Sequence, residues 1–130
     1  MRARMVVALL AGIVVAMSTD AFAQQRMLYG AIAYSAKTKA IGVAADNTSQ
    51  EEAESVALQN CRTSSPEATD CRNVMWVRNA CAAIAIGQDG GWGTDWGADR
   101  PTAERKAMAV CAKHSATCEV VRRVCTKPGS

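Results

Sequence analysis

Histidine occurs once in this 130-residue chain, phenylalanine once and proline three times, and aromatic residues make up only 5% of it. A lone histidine, His114, with no closely spaced pair of cysteines leaves no recognisable zinc knuckle. Strong charge is missing too: 15 Lys and Arg against 12 Asp and Glu give a net charge of +3. Nucleic-acid binders concentrate far more basic charge than that. Nor is there an apolar run that could cross a bilayer, since Met5 to Met17 falls short of the roughly 20 residues required. A chain of this length builds one modest core at most.

What is present begins with an export signal. Arg2 and Arg4 precede the apolar run, Ser18, Thr19 and Asp20 break it, and Ala21-Phe22-Ala23 follows. That order is the n-region, h-region and cleavage site of a secretory leader. Cleavage is expected after Ala23, giving a signal peptide over 1–23 and a single domain over 24–130. Losing Arg2, Arg4 and Asp20 takes Lys plus Arg from 15 to 13 and Asp plus Glu from 12 to 11, so the net charge becomes +2. The mature chain is expected to be soluble, with no membrane attachment and no nucleic-acid partner. Cys61, Cys71, Cys81, Cys111, Cys118 and Cys125 all fall in it, an even set that reads as three structural disulfides in an oxidising compartment.

The mature chain repeats itself at an offset of about fifty residues. Tyr29 to Ser35 matches Cys81 to Gly87, and Ala53, Glu54, Ala57 and Cys61 align with Ala103, Glu104, Ala107 and Cys111 without a gap. Repeat 1 spans 29–80 and repeat 2 spans 81–125. Each opens with a strand of alternating small and larger residues, Ala31-Ile32-Ala33-Tyr34 or Ala83-Ile84-Ala85-Ile86. Lys37-Thr38-Lys39 and Gln88-Asp89-Gly90-Gly91 supply turns into second strands. Ser49 with Glu52 forms a capping box, and Asp99 with Pro101 marks the matching helix start. Alanines at three-and-four spacing give each helix a smooth face that lets backbones approach closely. Third strands follow around Val74, Trp76 and Val77, and around Val120, Val121 and Val124.

The fold expected is therefore α+β: two β-β-α-β repeats forming one mostly antiparallel sheet packed by two helices, stapled by disulfides. Equivalent cysteines should bond equivalently, which suggests Cys61 with Cys71 and Cys111 with Cys118. Cys81 then pairs with Cys125.

Few residues recommend themselves for chemistry. Gly90-Gly91-Trp92-Gly93-Thr94-Asp95 matches one copy of a calcium repeat that works only in tandem, so a glycine-rich turn is the simpler reading. His114 has no nucleophile or carboxylate near it in sequence and reads as a surface residue. Glu51, Glu52, Glu54 and Glu104 sit near helix starts, where capping and the helix dipole account for them. No catalytic, metal or cofactor constellation emerges. Trp92 and Trp96 are candidate partner-binding residues, with packing the competing role and favoured for Trp96. Arg72, Arg78, Arg122 and Arg123 on the third strands are candidates for a basic patch facing an acidic partner, against the plainer reading of a solvated face.

The chain resembles the exported bacterial family labelled domain of unknown function 4189. Carrying the resemblance are Tyr29-Gly30-Ala31-Ile32-Ala33-Tyr34-Ser35, Ala53-Glu54 and Ala57 ending in Cys61, Cys81-Ala82-Ala83-Ile84-Ala85, and Trp92-Gly93. It implies location and fold rather than activity, and brings no catalytic residues with it. Some similar proteins are periplasmic immunity partners of secreted toxins, which implies a candidate inhibitor.

The expected function is a periplasmic or secreted binding module, not an enzyme, that neutralises a toxin or enzyme partner. The alternative is a cell-envelope binder of glycan or peptidoglycan. A small hydrolase is the third reading.

Overall fold

The computed structural model describes residues 26–127. The expected leader, 1–23, lies outside them. Eight elements follow in order: β1 Tyr29–Tyr34, β2 Ile41–Asn47, α1 Gln50–Ser64, β3 Arg72–Arg78, β4 Ala80–Ile86, β5 Trp92–Gly97, α2 Arg100–Cys111 and β6 Glu119–Thr126. The β-β-α-β unit is used twice, as the repeat requires.

The expected single sheet is instead two antiparallel three-stranded sheets, β2-β1-β3 and β5-β4-β6. Asn79 explains the division. It is the only residue between β3 and β4, and even the tightest common hairpin needs a two-residue loop. With φ at 47°, a left-handed conformation that asparagine tolerates better than most residues, Asn79 sends the chain from one sheet into the other. Its N–H donates to the Leu28 carbonyl and its Oδ1 accepts from the Leu28 N–H, both at 2.9 Å, which fixes the crossing.

The central strands β1 and β4 are buried on both faces. Ile32 and Tyr34 of β1 meet Ala82 and Ile84 of β4 in a core between the sheets, joined by Val77 and Val124. The opposite faces carry Ala31 and Ala33, packed under Ala53, Ala57 and Cys61 of α1, and Ala83 and Ala85, packed under Ala103, Ala107 and Cys111 of α2. Four layers result: helix, sheet, sheet, helix.

Small side chains set the helix-to-sheet distance. A Cβ at Gly42 would lie 2.0 Å from the Ala57 carbonyl oxygen, and one at Gly93 would lie 2.3 Å from the Cys111 nitrogen. Each helix end therefore rests directly on the backbone of the second strand. Residues larger than glycine there would lift the helix and open the core.

The helix starts form as expected, with one change. Ser49 Oγ accepts from the Glu52 N–H at 3.1 Å, and Asp99 Oδ1 accepts from the Thr102 N–H at 2.9 Å. The Glu52 carboxylate reaches back past Ser49, however, to the N–H and hydroxyl of Thr48. The disulfides are Cys61–Cys71, Cys81–Cys125 and Cys111–Cys118, the pairing that equivalence of the repeats suggested. Cys81 and Cys125 are direct cross-strand neighbours on β4 and β6.

Candidate functional site

The two units pack with β3 beside β5 at one side of the sandwich and β6 beside β2 at the other. Thr94 on β5 donates to the Val74 carbonyl on β3, and Thr126 on β6 bonds to Asp46 on β2. Between β3 and β5 lies an open groove of about 880 Å³. Asn73, Met75, Trp76 and Arg78 of β3, Asp95 and Trp96 of β5, and Glu54 of α1 line it. Glu54 and Asn73 also border a shallower depression that continues along α1 past Gln50 and Leu58.

Two tryptophans face solvent here: Trp76 is 45% exposed and Trp96 51%. Tyr29 flanks Trp76 with ring centres 6.3 Å apart, and the Lys106 ammonium sits 5.1 Å from the Trp96 ring centre. Lys106 also pairs with Asp95 at 3.5 Å, so α2 holds both β5 residues in place. Trp96, expected to pack over alanines, is thus the more exposed of the two candidates on β5. Trp92 is the one that packs: it is half-buried against the inter-sheet core, 5.1 Å from the Tyr34 ring, with the Arg72 guanidinium over its own ring at 5.7 Å from the centre. Strand alternation accounts for this. Trp92, Thr94 and Trp96 share the face turned toward the other sheet, but Trp96 lies where β5 runs beyond its cover.

The four arginines do not form one patch. Arg72 and Arg78 lie on β3 and Arg122 and Arg123 on β6, at opposite sides of the sandwich. Arg72 is engaged with Trp92, and Arg123 Nε lies 2.9 Å from Glu104 Oε1. Glu104 is therefore an ion-pair partner rather than a cap, and Glu54 lies a turn beyond the cap, accepting from the Gln50 side-chain amide at 2.6 Å. His114 is exposed in the loop after α2. Among the described residues no three metal-ligating side chains converge.

Trp76, Asn73 and Glu54 were not singled out as binding residues from the sequence. A signal existed in the mismatch between the repeats. Ala31 pairs with Trp76 and Ala33 with Asn73, whereas the equivalent Ala83 pairs with Arg123 and Ala85 with Val120. Both third strands slip register at the same place, between Ile32 and Ala33 and between Ile84 and Ala85. Because both strands slip alike, counting from the preceding cysteine keeps the equivalence: Trp76 and Arg123 each lie five residues after Cys71 and Cys118. What sequence spacing does not reveal is the slip itself, and with it the face on which Trp76 lies.

The model of the family described as domain of unknown function, DUF4189, matches residues 29–125. The chain belongs to the DUF4189 family. That match runs from the first residue of β1 to the penultimate residue of β6, so both units of this DUF4189 domain are inside it. No curated protein matches the chain, and no solved structure does. Three disulfides are consistent with an oxidising environment outside the cytoplasm. No helix among the described residues is long and apolar enough to cross a membrane.

Proposed function

We propose that this DUF4189 domain is a periplasmic or secreted binding module that docks a protein, neutralising an exported toxin or enzyme by covering its working surface. The groove between β3 and β5 supports this reading. Two tryptophans about half exposed on one concavity are costly to leave in water, and tryptophan is enriched among the residues that dominate binding energy. The scaffold beneath them is cross-linked three times, so little ordering cost remains to be met on binding.

The experiment is capture of a partner from the exported fraction of the native host, followed by titration of that partner, purified, against wild type and the double variant Trp76→Ala, Trp96→Ala. The expected result is loss of at least about a hundredfold in affinity, or roughly 3 kcal/mol. Unchanged affinity in a folded double variant sinks the groove as the docking site.

A glycan is the second reading, favoured by the presence of hydrogen-bonding side chains, Asn73 and Glu54, beside an aromatic face. Sedimentation with purified peptidoglycan, abolished by the same double variant, separates it from the first.

A further inference from the structure

We infer that the groove receives an arginine side chain of the docked protein, stacked on Trp76 and paired with Glu54. This rests on the docking reading above and names the chemistry of its partner. Three observations carry it, and the first is the broken symmetry of the duplication.

In the second unit, Glu104 of α2 and Arg123 of β6 form a 2.9 Å ion pair across the helix-to-strand boundary. Glu54 occupies the same place on α1 as Glu104 on α2, one residue after the buried alanine Ala53 or Ala103. The strand position equivalent to Arg123, fixed by pairing with Ala31 as Arg123 pairs with Ala83, holds Trp76. The first unit thus keeps the carboxylate, lacks the guanidinium, and offers an aromatic ring in its stead. Among the described residues no cation stands within ion-pair distance of Glu54.

The second observation is the hydrogen-bond balance. Asn73 lines the same groove beside Glu54, whereas the equivalent strand position in the second unit is the apolar Val120. Guanidinium carries five N–H donors and no acceptor, so it suits a site whose unpaired charged group, the Glu54 carboxylate, only accepts. Arginine also stacks on tryptophan more often than lysine does.

Charge complementarity is the third. Asp95 is already engaged by Lys106, which leaves Glu54 as the unpaired carboxylate of the groove. Arg78 is the groove's cation, two residues along β3 from Trp76 and five from Asn73, about 7 Å and about 16 Å at strand rise. At physiological salt only the longer separation exceeds the screening length of about 8 Å, so cations are drawn to the end of the groove where Glu54 and Asn73 lie, with the guanidinium entering Trp76 from that side.

The test uses the disulfide-bonded protein, ¹⁵N-labelled, titrated with N-acetyl-Gly-Arg-Gly-amide and with its citrulline counterpart, which keeps the shape and loses the charge. The arginine peptide is expected to shift the Trp76 indole and the Glu54 amide and to bind at least about tenfold tighter than the citrulline peptide. Glu54→Gln should remove that preference. Trp76→Arg, which restores the arrangement of the second unit, should abolish binding while leaving the thermal midpoint unlowered, so loss of fold cannot account for the result. Equal binding of the two peptides, or an undiminished preference in Glu54→Gln, overturns the inference. Neither outcome touches the partner titration with the double tryptophan variant, which tests docking as such.

Discussion

The Ser35 hydroxyl donates a 2.5 Å hydrogen bond to Oδ1 of Asp70, tying the β1–β2 turn to the loop that enters β3. In the second unit the roles are exchanged: Ser115 of the loop bonds to Asp89 of the turn, and its hydroxyl fills the space that a Cβ at Gly87 would need. Each unit thus closes its open end with a serine and an aspartate contributed from opposite sides.

These bonds make the fold sensitive to acid. The Ser35 hydroxyl, and after it the Lys37 amide, hold the Asp70 carboxyl below its ordinary range against the opposing effect of burial. Ser115 does the same for Asp89, Thr102 for Asp99 and Thr48 for Glu52. A carboxyl whose folded pKa is lowered adds stability above its unfolded value of about 4 and loses it as pH falls through the folded value. The thermal midpoint is therefore expected to be flat from neutral pH down to about 5 and to fall below 4. Asp70→Asn should show a shallower fall than wild type in calorimetric scans; an identical slope would count against Asp70 as a contributor.

Gly42→Ala and Gly93→Ala should both be severe, because the added methyl meets helix backbone rather than a movable side chain. A cost at or above the top of the usual ~1–3 kcal/mol range for overpacking is expected. Denaturant titration checks it, with Gly90 left alone as a position whose φ of 90° has a different reason for glycine.

Trp92 and Trp96 should separate in stability. Trp92→Ala removes a half-buried ring from Tyr34 and the inter-sheet core and is expected to cost about 2–4 kcal/mol, somewhat less than a fully buried tryptophan. Trp96→Ala loses an exposed ring and one contact with Lys106, worth about 0.5–1 kcal/mol. Equal midpoints in urea would show that Trp92 does not pack as described.

Removing Cys61–Cys71 by a double alanine substitution should cost about 2–4 kcal/mol, chiefly by freeing the unfolded chain. Cys81–Cys125 closes the longest loop, with a sequence separation of 44, and its loss should cost somewhat more. Chemical denaturation of the two double variants ranks them. A larger loss from the shorter loop would mean that native packing of the buried Cys61, rather than chain entropy, dominates.

Much of the fold was legible because local rules agreed. Ser49 and Asp99 announce helix starts, alternation marks β1 and β4, and duplication alone is enough to pair the cysteines. The candidate site was less legible. Trp96 looked like packing because the sequence shows an alanine-rich neighbourhood but not where a strand outruns its cover, and Trp76 looked like an ordinary third-strand residue.

Residue order by itself determined the two β-β-α-β units, their element order and the sulfur pairing, since each depends on periodicity, caps or equivalence along the chain. Only the tertiary structure decided that the units form separate sheets face to face, and that this places Trp76 and Trp96 on one groove with Glu54. The physical reason is that register and layer packing are set by contacts between residues distant in sequence: a single left-handed Asn79 and a one-residue slip in β3 move side chains from one face to another without changing any local pattern.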